Sequence, residues 1–106
     1  MKEFELIQTY FANRGPQRKD VVLGVGDDAA LTRVPQDKLL VVATDTMVEN
    51  VHFFKDADPR SIGHRCLAVN LSDFAAMGAE PAWASLALTL PDADEDWIRE
   101  FSAGLF

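Results

Sequence analysis

"DPRSIGHRCLAVNLSDFAAMGAEP", residues 58–81, decides how the chain is read. Asp58 stands directly before Pro59. An acid at that place accepts a free backbone N–H of the first turn, and proline gives up a donor which that turn does not use. Gly78 supplies the left-handed residue on which helices end. The stretch between predicts a helix from Pro59 to Met77. Stepping by about 100° per residue puts Ile62, Cys66, Val69 and Met77 on one arc, with Leu67, Leu71 and Phe74 widening the apolar side. His64, Arg65 and Ser72 mark a narrow polar side. Asp73 falls in the middle of the apolar arc. A carboxylate there is costly without a partner. It reads equally as a core acid paired with an arginine or with backbone donors, or as a metal ligand.

Strand signals lie on both sides of this helix. "LLVVATDTMV", residues 39–48, is the strongest, being rich in β-branched residues. Its apolar run ends in Thr44, Asp45 and Thr46, three oxygen-bearing residues at the strand end where sheets place their ligands. Ordinary turn chemistry explains one of them more easily than three. "PAWASLALTLP", residues 81–91, predicts a buried strand between two prolines, and "VVLG" (21–24) and "AALTRV" (29–34) predict shorter ones. Residues 3–13 space Phe4, Leu6, Ile7, Tyr10 and Phe11 as a helix does, before the polar Gly-Pro loop "NRGPQRKD". "DEDWIREFSAGLF", residues 94–106, predicts a last helix, with Asp92 and Glu95 as a capping box. The expected order is α-β-β-β-α-β-α. The fold class is α+β, or mixed α/β, with a single sheet and helices on one face.

The totals bound the function. A length of 106 residues suits one domain, and 48 % hydrophobic residues suffice for a core. Ten basic against seventeen acidic residues leave a net charge of −7. Such a surface argues against a nucleic-acid backbone as partner, but admits nucleotides if cations stand between acids and phosphates. The single cysteine, Cys66, excludes an internal disulfide and fits a reducing compartment. "MKEFELIQTYF" lacks the apolar centre of a signal peptide, and no run approaches a membrane span. The expectation is a soluble cytoplasmic protein without nucleic-acid or membrane partners. The apolar last residues, Leu105 and Phe106, read as the mark of a truncated chain.

"GVGDDAALTRV", residues 24–34, sets two adjacent carboxylates, Asp27 and Asp28, on a glycine turn beside an apolar run. With Asp45 and Asp73 they make three separate acidic positions. None comes with the Cys or His spacing of a zinc site. Carboxylate and hydroxyl oxygens are hard ligands and suit Mg²⁺, which phosphates complete. Divalent cations would let two carboxylates share one turn. "GVGDDA" lacks the third glycine of a dinucleotide turn, and there is no P-loop. His52, in "ENVHF", follows the acidic strand end and could reach a ligand, although a lone loop histidine also reads as incidental.

"GVGDDAAL" (24–31), "TDTMVENVHF" (44–53) and "AVNLSDFAAMGAEPAWASLALTLP" (68–91) together resemble the N-terminal domain of the thiamine-monophosphate kinase family, within the aminoimidazole ribonucleotide synthetase superfamily. The resemblance covers nearly the whole chain. "NLSDFAAMGAEP" is the specific part, whereas "GDDAA" is shared with selenophosphate synthetase and other relatives. The resemblance implies direct transfer of the γ-phosphoryl group of ATP to thiamine monophosphate, giving thiamine diphosphate, with several Mg²⁺ ions between acids and phosphates. By position it makes Asp28, Asp45 and Asp73 metal ligands, with Thr44 giving a side-chain oxygen and Ala43 a backbone one. Asp27 is a secondary candidate that shapes the turn, and His52 is a residue that touches the thiamine phosphate. It also implies a homodimer in which the N-terminal sheets pair. The 106 residues would then be an ATP/Mg-binding and dimerisation domain, inactive alone without a C-terminal domain. Two other readings stay open: a selenophosphate synthetase-like enzyme, disfavoured because the only cysteine lies mid-helix, and a metal-binding dimerisation module without catalysis.

Overall fold

The computed structural model describes residues 2–92 and 94–106. Its elements are α1 (Glu3–Tyr10), β1 (Val21–Leu23), β2 (Leu31–Thr32), α2 (Pro59–Met77) and α3 (Glu95–Leu105). The chain divides into two compact units, Met1–Leu40 with Phe106, and Val41–Leu105.

In the first unit, Glu3 and Glu5 occupy the opening turn of α1, where acids complement the helix dipole. The helix stops at Tyr10, short of the expected residue 13, and Asn13 lies in the left-handed region at φ 56°. A left-handed residue cannot continue a right-handed helix, so the apolar spacing overran the helix that carries it. Phe11 packs on Phe106 with ring centroids 6.4 Å apart. The Arg14 guanidinium lies 4.8 Å above the same Phe106 ring. β1 and β2 form an antiparallel pair with Val21 opposite Thr32 and Leu23 opposite Leu31.

In the second unit, α2 takes the predicted bounds. Asp58 accepts the Arg60 backbone N–H at 3.3 Å and the Ser61 hydroxyl at 3.1 Å. Gly78 closes the helix at φ 66°, and its N–H and that of Ala79 satisfy the carbonyls of Ala75 and Phe74. The cap of α3 is Asp94 rather than Asp92. Its Oδ1 accepts from the Asp96 and Trp97 backbone N–H groups at 3.1 and 3.2 Å. Asp94 directly precedes the first helical residue, which is the place from which a side chain reaches those donors.

α2 packs against α3 through their backbones. Gly63 of α2 faces the Phe101 carbonyl, and Gly104 of α3 faces the Arg60 carbonyl. Ile62, Ile98, Phe101 and Ser102 are buried in this unit, and Trp97 stacks on Phe101 at 5.0 Å. The close α3 contacts fall on Arg60 and Gly63, in the first turns of α2. Further along, Val69 is 37 % and Met77 71 % exposed.

Two expectations are corrected here. Residues 39–48 and 81–91 form no regular strand among the described residues, so the sheet has two strands rather than four and the order is α-β-β-α-α. Leu39 is 95 % and Val42 75 % exposed. A strand exists only when a neighbour pairs its backbone, and apolar character signals fitness for burial without providing that neighbour. The other correction is Asp73, which is exposed rather than held inside an apolar face. Small antiparallel sheet and helices together remain an α+β fold. No described helix is long and apolar enough to cross a membrane.

Candidate functional site

The Asp27 and Asp28 turn joins β1 to β2. Gly26 adopts φ 119°, a conformation closed to residues with a Cβ, and this brings the two acids into succession at the surface. The Asp28 backbone N–H donates to Asp27 Oδ1 at 2.8 Å. Asp27 therefore spends one oxygen on the turn, while no hydrogen bond or ion pair engages the Asp28 carboxylate among the described residues.

The remaining candidates lie in the second unit. Ala43 is half-buried, and Thr44 and Asp45 are exposed. Two residues on, Met47 Sδ meets Cys66 Sγ at 3.4 Å, which seats this segment on α2. Burial pushes the Cys66 thiol up from its ordinary value, with Arg65 pulling weakly the other way. Asp73 is seven residues beyond Cys66, roughly 10 Å along the helix axis by its rise per residue. Neither Asp45 nor Asp73 has a cationic partner among the described residues. That removes the ion-pair explanation of Asp73. Three His, Cys, Asp or Glu side chains nowhere gather into a ready cage among the described residues.

Asn70 was missed by the reading of the sequence. Its Nδ2 donates to the Cys66 carbonyl at 3.0 Å, and because a carbonyl can only accept, this fixes which way the amide points. Its Oδ1 is buried and takes no hydrogen bond among the described residues. The signal was present in "AVNLSDF": Asn70 is one turn from Cys66, inside the same arc as Asp73. An orphaned amide oxygen costs free energy until a donor or a cation meets it.

His52 is exposed, and its ring is held by the chain beside it: the Val48 backbone N–H donates to Nδ1 at 2.9 Å. Two open hollows lie away from the acids. One, of about 480 Å³, is bordered by Lys19, Asp20 and Arg33; the other, of about 550 Å³, by Asp58, Arg60, His64 and Arg65.

In each unit taken by itself the donors suit a hard divalent cation in their chemistry. Asp28 in the first unit, and Asp45 and Asp73 in the second, are exposed carboxylates without a cationic partner among the described residues; in the second unit Thr44 adds a hydroxyl, and Asn70 a buried neutral oxygen one turn from Asp73. Mg²⁺ binds through one or two carboxylates plus phosphate and water, and needs no closed protein cage.

Over 104 residues the chain is 54 % identical to "Thiamine-monophosphate kinase" of Escherichia coli strain K12, covering 98 % of this chain and 32 % of that protein. It is 50 % identical to the protein of the same name from Haemophilus influenzae, over 99 % of this chain and 32 % of the relative. With the Bacillus subtilis protein of that name it shares 42 % identity, over 86 % of this chain and 28 % of the relative. The chain thus spans about a third of the length of the curated relatives it matches. Residues 26–106, from Gly26 through the acidic turn to Phe106, match the family described as AIR synthase related protein, N-terminal domain, and the chain belongs to that family.

Proposed function

We propose that this chain is the N-terminal part of a cytoplasmic kinase that uses ATP to phosphorylate thiamine monophosphate, yielding ADP and thiamine diphosphate. The observation that carries the reading is that Asp28, Asp45 and Asp73 are exposed carboxylates without a cationic partner among the described residues, in a chain similar to proteins named for that substrate. Phosphoryl transfer asks a protein for positioning and charge neutralisation more than for covalent chemistry. When bound, Mg²⁺ supplies that neutralisation and draws the reacting phosphates into line.

Asp28, Asp45, Asp73 and the Thr44 hydroxyl would hold the cations, with the Ala43 carbonyl as a further oxygen. Asp27 would keep the turn in shape, and His52 would contact the thiamine phosphate. The 106 residues would act as the ATP/Mg-binding and dimerisation part, with a C-terminal domain completing the site. A second copy of the chain would pair with residues 39–48 and 81–91, whose apolar side chains include the 95 % exposed Leu39. Water disfavours such a surface, and a two-fold pairing of like strands is the commonest remedy.

The test is ADP release by the full-length protein given ATP, Mg²⁺ and thiamine monophosphate. Thiamine diphosphate should form in step with ADP. Absence of turnover by a folded full-length protein overturns the reading.

A further inference from the structure

Asn70 fastens one end of its amide and leaves the other without a partner. Nδ2 donates to the Cys66 carbonyl at 3.0 Å, which turns the side chain back along α2. That carbonyl already serves the helix ladder, so the second bond sets an orientation rather than satisfying an unmet group. The amide cannot flip without setting its own oxygen against the carbonyl, since both only accept. Oδ1 is therefore the fixed free end. It is shut off from solvent, and no described residue donates to it.

The segment that carries Thr44 and Asp45 lies on this side of α2, because Met47 Sδ meets Cys66 Sγ at 3.4 Å. Extended backbone advances about 3.3 Å per residue, so Asp45 stands within about 7 Å of Met47 along the chain. By the helix rise, Asn70 is about 6 Å and Asp73 about 10 Å along the axis from Cys66. The orphaned oxygen thus belongs to the same stretch of α2 as the two acids. Ionised acids only accept, so neither can supply the donor that Oδ1 lacks. A hydrated cation serves all three groups: the carboxylates bind it, and the water it keeps donates to a neutral oxygen in a charge-strengthened hydrogen bond. No backbone hydrogen bond holds residues 41–47 among the described residues, so the segment can re-form around an ion without breaking a ladder.

We propose that Asn70 is a positioning residue for the cation held by Asp45 and Asp73, its Oδ1 accepting a hydrogen bond from a water that the cation carries. That these acids hold Mg²⁺ rests on the function proposed above; the orphaned state of Oδ1 does not.

Mn²⁺, which takes the same oxygen ligands as Mg²⁺, tests this on the full-length protein without nucleotide. Free Mn²⁺ is counted by its paramagnetic resonance signal, and melting temperatures are taken in EDTA. Asn70→Leu keeps the side chain's size and removes the orphan. Its melting temperature in EDTA should equal or exceed that of the wild type, because an unsatisfied buried group has gone. Its Mn²⁺ affinity should fall about tenfold or more, the usual effect of removing a partner behind a metal's ligands. Asn70→Asp should do the reverse: an oxygen set against the Cys66 carbonyl lowers the melting temperature in EDTA, while Mn²⁺ affinity is kept or raised. Stability and affinity moving together in both variants would mark a purely structural residue and overturn the proposal. A marked fall in melting temperature for Asn70→Leu in EDTA would also overturn it, since Oδ1 would then have a protein donor in the full chain. In an Asp73→Asn background, Asn70→Leu should weaken Mn²⁺ binding no further; an undiminished tenfold loss there would separate Asn70 from the cation of Asp73. A folded wild-type protein that binds no Mn²⁺ overturns the function proposed above, whereas equal Mn²⁺ affinity of wild type and Asn70→Leu overturns the role of Asn70 alone.

Discussion

Gly104 of α3 lies against the backbone carbonyl of Arg60 in α2, closer than any residue with a Cβ could come. Gly63 meets the Phe101 carbonyl in the same way from the other side of the crossing. Backbone cannot swing aside as a long side chain can, so an added methyl forces the helices apart. Ala in place of Gly gains about 1 kcal/mol in helix propensity. Forcing extra volume into a packed contact costs about 1–3 kcal/mol, and more where the neighbour is rigid. Gly104→Ala and Gly63→Ala are therefore expected to lower stability by about 2 kcal/mol each, read from urea unfolding. A stabilised variant would mean the crossing is looser than described.

The cap of α3 gives a clean comparison between two acids. Asp94→Ala should cost about 1 kcal/mol, the usual value of an N-cap, because Asp94 holds the Asp96 and Trp97 amides. Asp92→Ala should leave the melting temperature within error. A larger loss from Asp92 would return the cap to the position suggested by spacing.

Asp73→Asn should abolish turnover in the full-length protein and leave its fold intact. Asp73 is exposed and has no cationic partner among the described residues, and the chain already carries a net charge of −7. Removing one of its negative charges should hold or slightly raise the melting temperature in EDTA. A protein that unfolds while keeping its specific activity would exclude the ligand role.

Cys66 should react slowly with iodoacetamide at neutral pH, since burial favours the neutral thiol and raises it above the ordinary value of 9.0. The linkage has a definite sign. Below pH 9 both folded and unfolded chains keep the proton, and this group makes stability independent of pH. Above it the unfolded chain releases its proton first, so stability falls as pH rises. Alkylation rates from pH 7 to 10 measure the first effect, and urea midpoints the second. A rate at pH 7 equal to that of free cysteine would contradict the burial.

Histidine substitution separates the two substrates. His52→Ala should raise KM for thiamine monophosphate more than KM for ATP in the full-length protein. Equal changes would make His52 a structural part of its loop and nothing more.

The bounds of α2 were determined by the sequence itself, because every signal that sets them is local. Asp58 reaches a donor two residues away, Pro59 is already bent for a first turn, and Gly78 alone tolerates the closing conformation. Asp28, Asp45 and Asp73 were legible as candidate acids, Asp28 on a glycine turn, Asp45 after an apolar run and Asp73 within a helix, together with a family resemblance. Their surroundings were not. Whether Asp73 is covered depends on where α3 crosses α2, and two glycines forty-one residues apart decide that crossing (104 − 63 = 41). Residues 39–48 and 81–91 carry strong strand composition and no strand, because pairing belongs to a neighbouring backbone and not to the segment. The orphaned Asn70 oxygen and the Val48 N–H that holds the His52 ring likewise became visible only when the atoms facing them were placed. Sequence specifies what a residue can do within a turn or two of itself; contacts between distant residues are set by tertiary packing, since their energy exists only once the chain has brought them together.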